Sequence, residues 1–353
     1  MNKKRNSEVD LLRCILMIFV VIIHVMAHGL KIGNLATGTY VETKYTPVMI
    51  VMLGFSVVAV DAFFMISGYF HSRFKLRKLI EYVLMGAIYA MLMYLISRII
   101  LGQPIIIRSV AQRLLQGFHA YWFLNVWLII FIFADYINIF FNELSDAELK
   151  KFVVVYTIVN LYFGFVVDCN SYGSAFSVVA MFYCYTLGYT ARRFKLEIQR
   201  FKNNEFGLLY IIGSVLSCCI CFGLLKYGKQ ELAHRVITDY RSPLIVISAL
   251  GIFLFFLNKI KIKNDKLEEA IVKWGGQTFA VYLITDAIDV WDIIFQPIVY
   301  LTKKNMNLVI FVCGIIVYVL LLFIVSICVD FIRKYMYNLI ERKIIDFWEH
   351  RNE

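Results

Sequence analysis

Asp10-Leu11-Leu12-Arg13-Cys14-Ile15-Leu16-Met17-Ile18-Phe19-Val20-Val21-Ile22-Ile23-His24-Val25-Met26-Ala27-His28 is the stretch that decides the fold. Between Arg13 and His24 no side chain is charged, and the apolar residues fall on every face of the helix they would form. At 1.5 Å per residue the run 9–30 is about 33 Å long, enough to cross a hydrocarbon core of about 30 Å. A helix apolar all round is buried in protein or in lipid. Nine further runs read the same way, at 46–70, 79–101, 121–141, 152–168, 174–190, 206–226, 242–258, 277–299 and 307–332. Pro47, Pro104, Pro243 and Pro297 fall at the edges of these runs or between them, where a lost helix hydrogen bond costs least. The ninth run carries Asp286, Asp289 and Asp292. Over the 353 residues, 61% are apolar and 17% charged. Soluble domains are about 45–50% apolar and about 25% charged, so this chain has too little polar surface to cover itself in water. A disordered protein, a secreted disulfide scaffold and an ordinary cytosolic enzyme are excluded. The expectation is an all-α, polytopic integral membrane protein with about ten transmembrane helices, forming one domain over residues 1–353.

The net charge of +11 could suggest nucleic acid, but its distribution points to topology. With the N-terminus inside, 24 of the 36 Lys and Arg residues fall in inside segments, beginning with Lys3-Lys4-Arg5, and 10 fall outside. Cytoplasmic loops carry such an excess, so both termini are expected in the cytoplasm and the protein in the cell membrane, with no nucleic-acid partner. Lys3-Lys4-Arg5 before an apolar run resembles the start of a signal peptide, but the run is long and no A-x-A site follows. A retained first helix is expected. Residues 105–118 set Arg108, Gln112, Arg113 and Gln116 among Ile and Leu, as in a short interfacial helix. No internal repeat supports an inverted-repeat transporter. Seven of the eight cysteines fall inside the apolar runs, and Cys218-Cys219-x-Cys221 lacks metal-ligand spacing and a nearby His. No metal site is expected.

An ionisable side chain within a span is expensive and is a functional candidate by default. His24 lies eleven positions after Arg13, 20° past three full turns at 100° per residue, so both project from one face, about 16 Å apart along the axis. A snorkelling anchor is the plain reading of Arg13, and an interhelical hydrogen bond that of His24. His28 lies one turn beyond, toward the outer interface. In the second run, Asp61 is a carboxylate in need of a partner, and Ser67-Gly68 is a small pair that lets backbones approach. Arg73-x-Lys75-x-Arg77-Lys78 follows it, as a headgroup or topology signal or as a cradle for an anionic phosphate.

These residues carry a resemblance to the membrane acyltransferase family 3. Asp10-Leu11-Leu12-Arg13 with His24 after ten intervening residues resembles that family's Arg/Lys-x10-His signature, and Asp61–Tyr69 resembles its acidic residue followed by F-F-x-x-S-G-[FY]. Tyr121-Trp122-Phe123-Leu124 is similar to its W-F-L motif, and Thr278–Ile284 to its late Y-L-I-H segment. Here Thr285 stands where that segment ends in His, with Asp286 beside it. The prolines often found after the basic run are absent, and no esterase-like domain follows the tenth run, as in the stand-alone branch of the family.

The resemblance implies transfer of an acyl group, usually acetyl, from cytoplasmic acyl-CoA as co-substrate to a hydroxyl of a cell-surface or lipid-linked glycan. His24 would be the general base and Asp61 its orienting carboxylate. Arg13 would hold a CoA phosphate or the developing oxyanion, and Arg73, Lys75, Arg77 and Lys78 the nucleotide phosphates. Trp122 and Tyr282 would face the acceptor, with an interfacial anchor the simpler role for Trp122. Ser67 reads as packing more readily than as a nucleophile. The alternative is a non-enzymatic glycan carrier or flippase, since charged residues within many spans suit transport as well.

Overall fold

A computed structural model of the protein describes residues 6–32, 43–259, 262–304 and 306–349. Of the basic residues counted toward orientation, Lys3, Lys4, Arg5, Lys261 and Arg351 lie outside the described residues. Every regular element among those described is helical. The chain runs α1 (Ser7–His24), continued by a π-helical turn over Val25–Gly29, then α2 (Thr46–Ser56), α3 (Ala59–Tyr69) and α4 (Leu76–Ile100). There follow α5 (Ile107–Gln116), α6 (Trp122–Ile132), α7 (Ala134–Glu143), α8 (Asp146–Val159) and α9 (Val178–Arg193). The second half holds α10 (Lys195–Ile198), α11 (Asn203–Lys226), α12 (Gln230–Thr238), α13 (Pro243–Lys259) and α14 (Asp265–Gly275). It closes with α15 (Thr278–Thr285), α16 (Trp291–Ile294), α17 (Gln296–Lys303) and the long α18 (Leu308–Glu349).

Local chemistry explains where several of these begin. Asn6 caps α1 by accepting the Val9 N–H at 2.9 Å. Ser145 and Glu148 form a reciprocal capping box on α8. Pro47 and Pro297 sit in the first turn of their helices, where no N–H is needed.

Among the described residues, seven helical stretches are long and apolar enough to cross a membrane: Ser7–Gly29, Thr46–Tyr69, Leu76–Ile100, Asp146–Val166, Asn204–Lys226, Gln230–Leu257 and Leu308–Tyr337. An eighth would be the pair Ile107–Ala120 and Trp122–Ile132, bent by 68°. The expected count of about ten is therefore not reached by length, and the shortfall has identifiable causes. The run at 174–190 forms a helix of 16 residues. The run at 121–141 is divided between α6 and α7 at Phe133. The run at 277–299 breaks after Thr285, turns through Ile288–Val290 and restarts at Trp291. Its carboxylates explain that break, since they leave the helix pattern to meet partners. Arg113 donates to Asp289 through two bonds, at 2.8 and 2.6 Å, and Asp286 turns toward two histidines. Irregular backbone at membrane depth is tolerated where it lines a cavity.

The core is knit by close helix contacts. A Cβ added to Gly68 would lie 2.0 Å from the Tyr185 carbonyl oxygen, and one on Gly188 would lie 1.9 Å from that of Met65. α3 and α9 therefore meet backbone to backbone, the approach that small residues permit in membranes. The Ser67 hydroxyl donates to Phe63 O on its own helix, at 3.1 Å. The faces turned away, such as Ile316, Val317 and Leu321 on α18, are apolar and exposed, as lipid-facing helix surfaces are.

Candidate active site

One cavity of about 2440 Å³ runs through the helices. Its wall includes Asn6, Arg13, Met17, Val20, His24 and His28, and so follows α1 and its π-helical continuation from the N-cap over 22 positions, or about 33 Å. That is the depth of a bilayer core. The two ends differ in charge. Arg13, Arg73, Lys75, Lys78 and Arg192 line the first, and the carboxylates on the wall, Asp168, Glu231, Asp239 and Asp286, all lie elsewhere. At this end the Arg13 guanidinium donates to the buried Asp10 at 2.7 Å and lies over the Phe70 ring, and Arg192 lies over Tyr69. His71, in the left-handed region at φ 48°, stacks on Tyr189 at 4.4 Å. Burial, with Arg192 and Arg73 beside it, lowers its pKa from the ordinary imidazole value, which registers the positive field of this mouth.

The opposite end is mixed. Arg241 grips Asp239 through two bonds of 2.9 and 2.6 Å, donates to the Gly173 carbonyl at 2.8 Å and pairs with Asp168 at 2.8 Å. Such a fork holds a planar carboxylate firmly and leaves the mouth without a strong net sign. The ring of Trp122 packs between Phe176, at 4.7 Å, and Tyr240, at 5.8 Å, on the cavity wall.

Between the ends sits His24, 6% exposed. Its Nδ1 is 2.8 Å from the Thr285 hydroxyl. That hydroxyl donates its one proton to the Val281 carbonyl, also at 2.8 Å, so it can only accept from the ring. The hydrogen bonds thus assign the proton to Nδ1 and leave a lone pair on Nε2. Nε2 lies 3.7 Å from Asp286 Oδ1, and the same oxygen is 3.2 Å from His28 Nε2. His28 is fixed by Trp291, stacked at 3.6 Å and 12°. The π-helical turn over Val25–Gly29 sets the angle between the two histidines, whose rings lie 5.3 Å apart. Such turns within helices frequently mark functional sites. Tyr282 is on the same wall, its hydroxyl accepting the Phe123 N–H at 3.3 Å.

The residues singled out from the sequence divide accordingly. His24, Arg13, Arg73, Lys75, Lys78, Trp122 and Tyr282 all line the one cavity, and Arg77 is not among its lining residues. Asp61 corrects an expectation. The carboxylate facing His24 is Asp286, while Asp61 is fully buried beside Cys184, where neither of its oxygens has a nitrogen or oxygen partner among the described residues. The close α3–α9 contact decides this, because the face carrying Asp61 is turned toward α9. Arg13 lines the same cavity as His24 but stands apart from it. It lies about 16 Å along the axis from His24 and reaches back to Asp10. Thr285, His28 and Arg192 were not among the sequence candidates. For His28 the signal was the spacing of four from His24, which places both on one helix face.

The fold is that of a polytopic helical membrane protein, with a buried, hydrogen-bonded imidazole on the wall of a membrane-deep cavity. The family comparison says which class of protein this is. The acyltransferase family 3 model, described as an acyltransferase domain, matches residues 6–329, essentially the whole chain. The chain belongs to that family and is a multi-pass membrane acyltransferase. None of the curated proteins and none of the solved structures matches it.

Proposed function

We propose that the protein transfers an acetyl group from cytoplasmic acetyl-CoA to a hydroxyl of a cell-surface or lipid-linked polysaccharide in the plasma membrane, with both termini cytoplasmic. The observation that carries this is one continuous cavity joining a mouth of five cations to a histidine with a free Nε2 lone pair. A poly-anionic nucleotide donor suits the basic mouth, which the excess of basic residues in inside loops assigns to the cytoplasm. Arg13, Arg73, Lys75 and Lys78 hold its phosphates there, joined by Arg192. The mixed-charge mouth with its aromatic wall suits a sugar, whose apolar face stacks on Trp122 while its hydroxyls meet polar groups.

The reaction then follows from His24. The acceptor hydroxyl approaches the thioester carbonyl from the aromatic side. Nε2 takes the hydroxyl proton as the new C–O bond forms, and the Nδ1–H bond to Thr285 holds the ring in the required tautomer. The imidazolium so formed lies beside the Asp286 carboxylate, which stabilises it. Collapse of the tetrahedral intermediate breaks the C–S bond, and the departing thiolate recovers the proton from His24. Tyr282, beside Asp286, forms the acceptor-side wall. Asp61 serves this scheme as part of the α3–α9 contact and not as the partner of His24.

The purified protein, given labelled acetyl-CoA and a glycan acceptor, is expected to move label to the glycan, and His24→Ala to abolish this while the protein stays folded. Full transfer by His24→Ala would sink the base assignment. A carrier is favoured by the same through-passage. It would consume no acetyl-CoA while a lipid-linked glycan still crossed the bilayer, and that result would replace the enzyme reading.

A further inference from the structure

The geometry points to a binding site for a divalent transition-metal cation of the zinc type at His24 Nε2, His28 Nε2 and Asp286 Oδ1, where the bound cation switches off acyl transfer. The three ligand atoms lie within 4.8 Å of one another, with Asp286 Oδ1 at 3.7 Å from the first histidine and 3.2 Å from the second. Zinc takes imidazole nitrogen and carboxylate oxygen at about 2.0–2.2 Å in a tetrahedron, which sets its ligands about 3.3–3.5 Å apart. The two separations from Asp286 bracket that spacing, and the two ring nitrogens, within 4.8 Å of each other, close by up to about 1.5 Å to complete the set.

The surroundings are those of a ligand set more than of a chance meeting. The histidines lie four residues apart on one helical element, the spacing that offers two imidazoles to one ion. Metal-binding imidazole needs a lone pair on the ligating nitrogen and a donor bond from the other, and the bond from Nδ1 of His24 to Thr285 provides both. The stacked Trp291 holds the His28 ring in place. Asp286 contributes the one negative charge, and two imidazoles with a carboxylate favour zinc and its neighbours over magnesium or calcium, which prefer all-oxygen sites. All three residues line the cavity, so the fourth coordination position opens onto the path of the substrates. Nothing in the cysteine pattern pointed here, because the third ligand is more than 250 residues away in sequence.

The inhibitory consequence rests on the reading of His24 as the base. The lone pair that accepts the hydroxyl proton is the one the cation occupies, so one excludes the other. The site itself stands or falls separately, by binding. The full chain in lipid nanodiscs, freed of metal with a chelator, is titrated with zinc chloride against a chromophoric zinc indicator. One equivalent is expected to bind, with magnesium unable to displace it. His28→Gln and Asp286→Asn are each expected to lose that equivalent, Thr285→Val to weaken it about 10–100-fold, and the double variant Cys218→Ser/Cys221→Ser to retain it. In the unaltered protein, cobalt(II) should give the visible bands of four-coordinate nitrogen and oxygen ligation without a thiolate charge-transfer band, a measurement that needs no variant to fold. No stoichiometric binding, binding unaffected by His28→Gln and Asp286→Asn, or a thiolate band would overturn the site. Transfer should fall in proportion to zinc occupancy and return on chelation. Transfer that is unaffected by a filled site, or that requires it, would overturn the inhibitory role and with it the assignment of His24 as base, while leaving the binding result intact.

Discussion

The bond between His24 and Thr285 is a sharp test of the proposed chemistry, because it is made by a residue that departs from the late motif of the family. Thr285→Val keeps the shape of the side chain and removes one hydroxyl. The hydroxyl is fully buried, lies 2.8 Å from Nδ1 and returns its proton to Val281 O at 2.8 Å. Without it Nδ1–H has no acceptor in a site where the ring is only 6% exposed. Leaving a buried donor unsatisfied costs about 1–3 kcal/mol, and the bond is worth more once the ring is cationic. The ring can also turn over and present the wrong nitrogen. A fall in kcat of about 10–100-fold is therefore expected, with KM for acetyl-CoA nearly unchanged, because the basic mouth lies several turns away on α1. The assay is transfer of labelled acetyl by protein in nanodiscs with metal chelated, alongside a thermal-stability measurement in detergent. Thr285→Ser should restore most of kcat, since it restores the oxygen. Full kcat in a folded Thr285→Val protein would refute the role of Nδ1–H and, with it, Nε2 as the base.

Other expected outcomes follow from the same geometry. Asp286→Asn removes a charge 3.7 Å from His24 Nε2, an interaction of up to about 4.5 kcal/mol at an effective dielectric of 20, so kcat should drop by about 10²–10³; an unchanged rate would remove Asp286 from the mechanism. Arg192→Ala should raise KM for acetyl-CoA about tenfold with kcat held, as the loss of one charge-assisted contact, and initial-rate kinetics over donor concentration would read it. Gly188→Ala forces a Cβ to within 1.9 Å of Met65 O and should cost more than about 3 kcal/mol, seen as a lower melting temperature in detergent or loss of the monodisperse peak. Arg113→Met should weaken the tether of the broken segment by about 1–3 kcal/mol, between an exposed and a buried pair, and the exchange Arg113→Asp with Asp289→Arg should recover part of the stability.

The membrane class and the approximate positions of most helices were legible in the sequence, because a lipid-facing helix must be apolar over its whole length and no tertiary contact is needed to see that. The basic run after α3 and the pairing of Arg13 with His24 on one face were legible for the same local reason, since helix periodicity places them. The number of complete spans was less so. Residues 277–299 are apolar enough on average to pass as a helix, but Asp286 and Asp289 draw their backbone out of helical form toward His28 and Arg113. Those partners lie on other segments, and composition carries no record of them.

The sequence by itself determined that this protein lives in lipid, which residues repeat the motifs of an acyltransferase, and which histidine stands on the same face as which arginine. Only the tertiary structure decided what that histidine touches. Asp61 looked like its carboxylate, because both lie in early spans and each needed a partner. The glycine contact between α3 and α9 instead turns Asp61 toward Cys184, and the break after Thr285 brings Thr285 and Asp286 to the ring. Helix periodicity determines which side chains share a face, but which face meets which neighbour is set by packing between segments hundreds of residues apart.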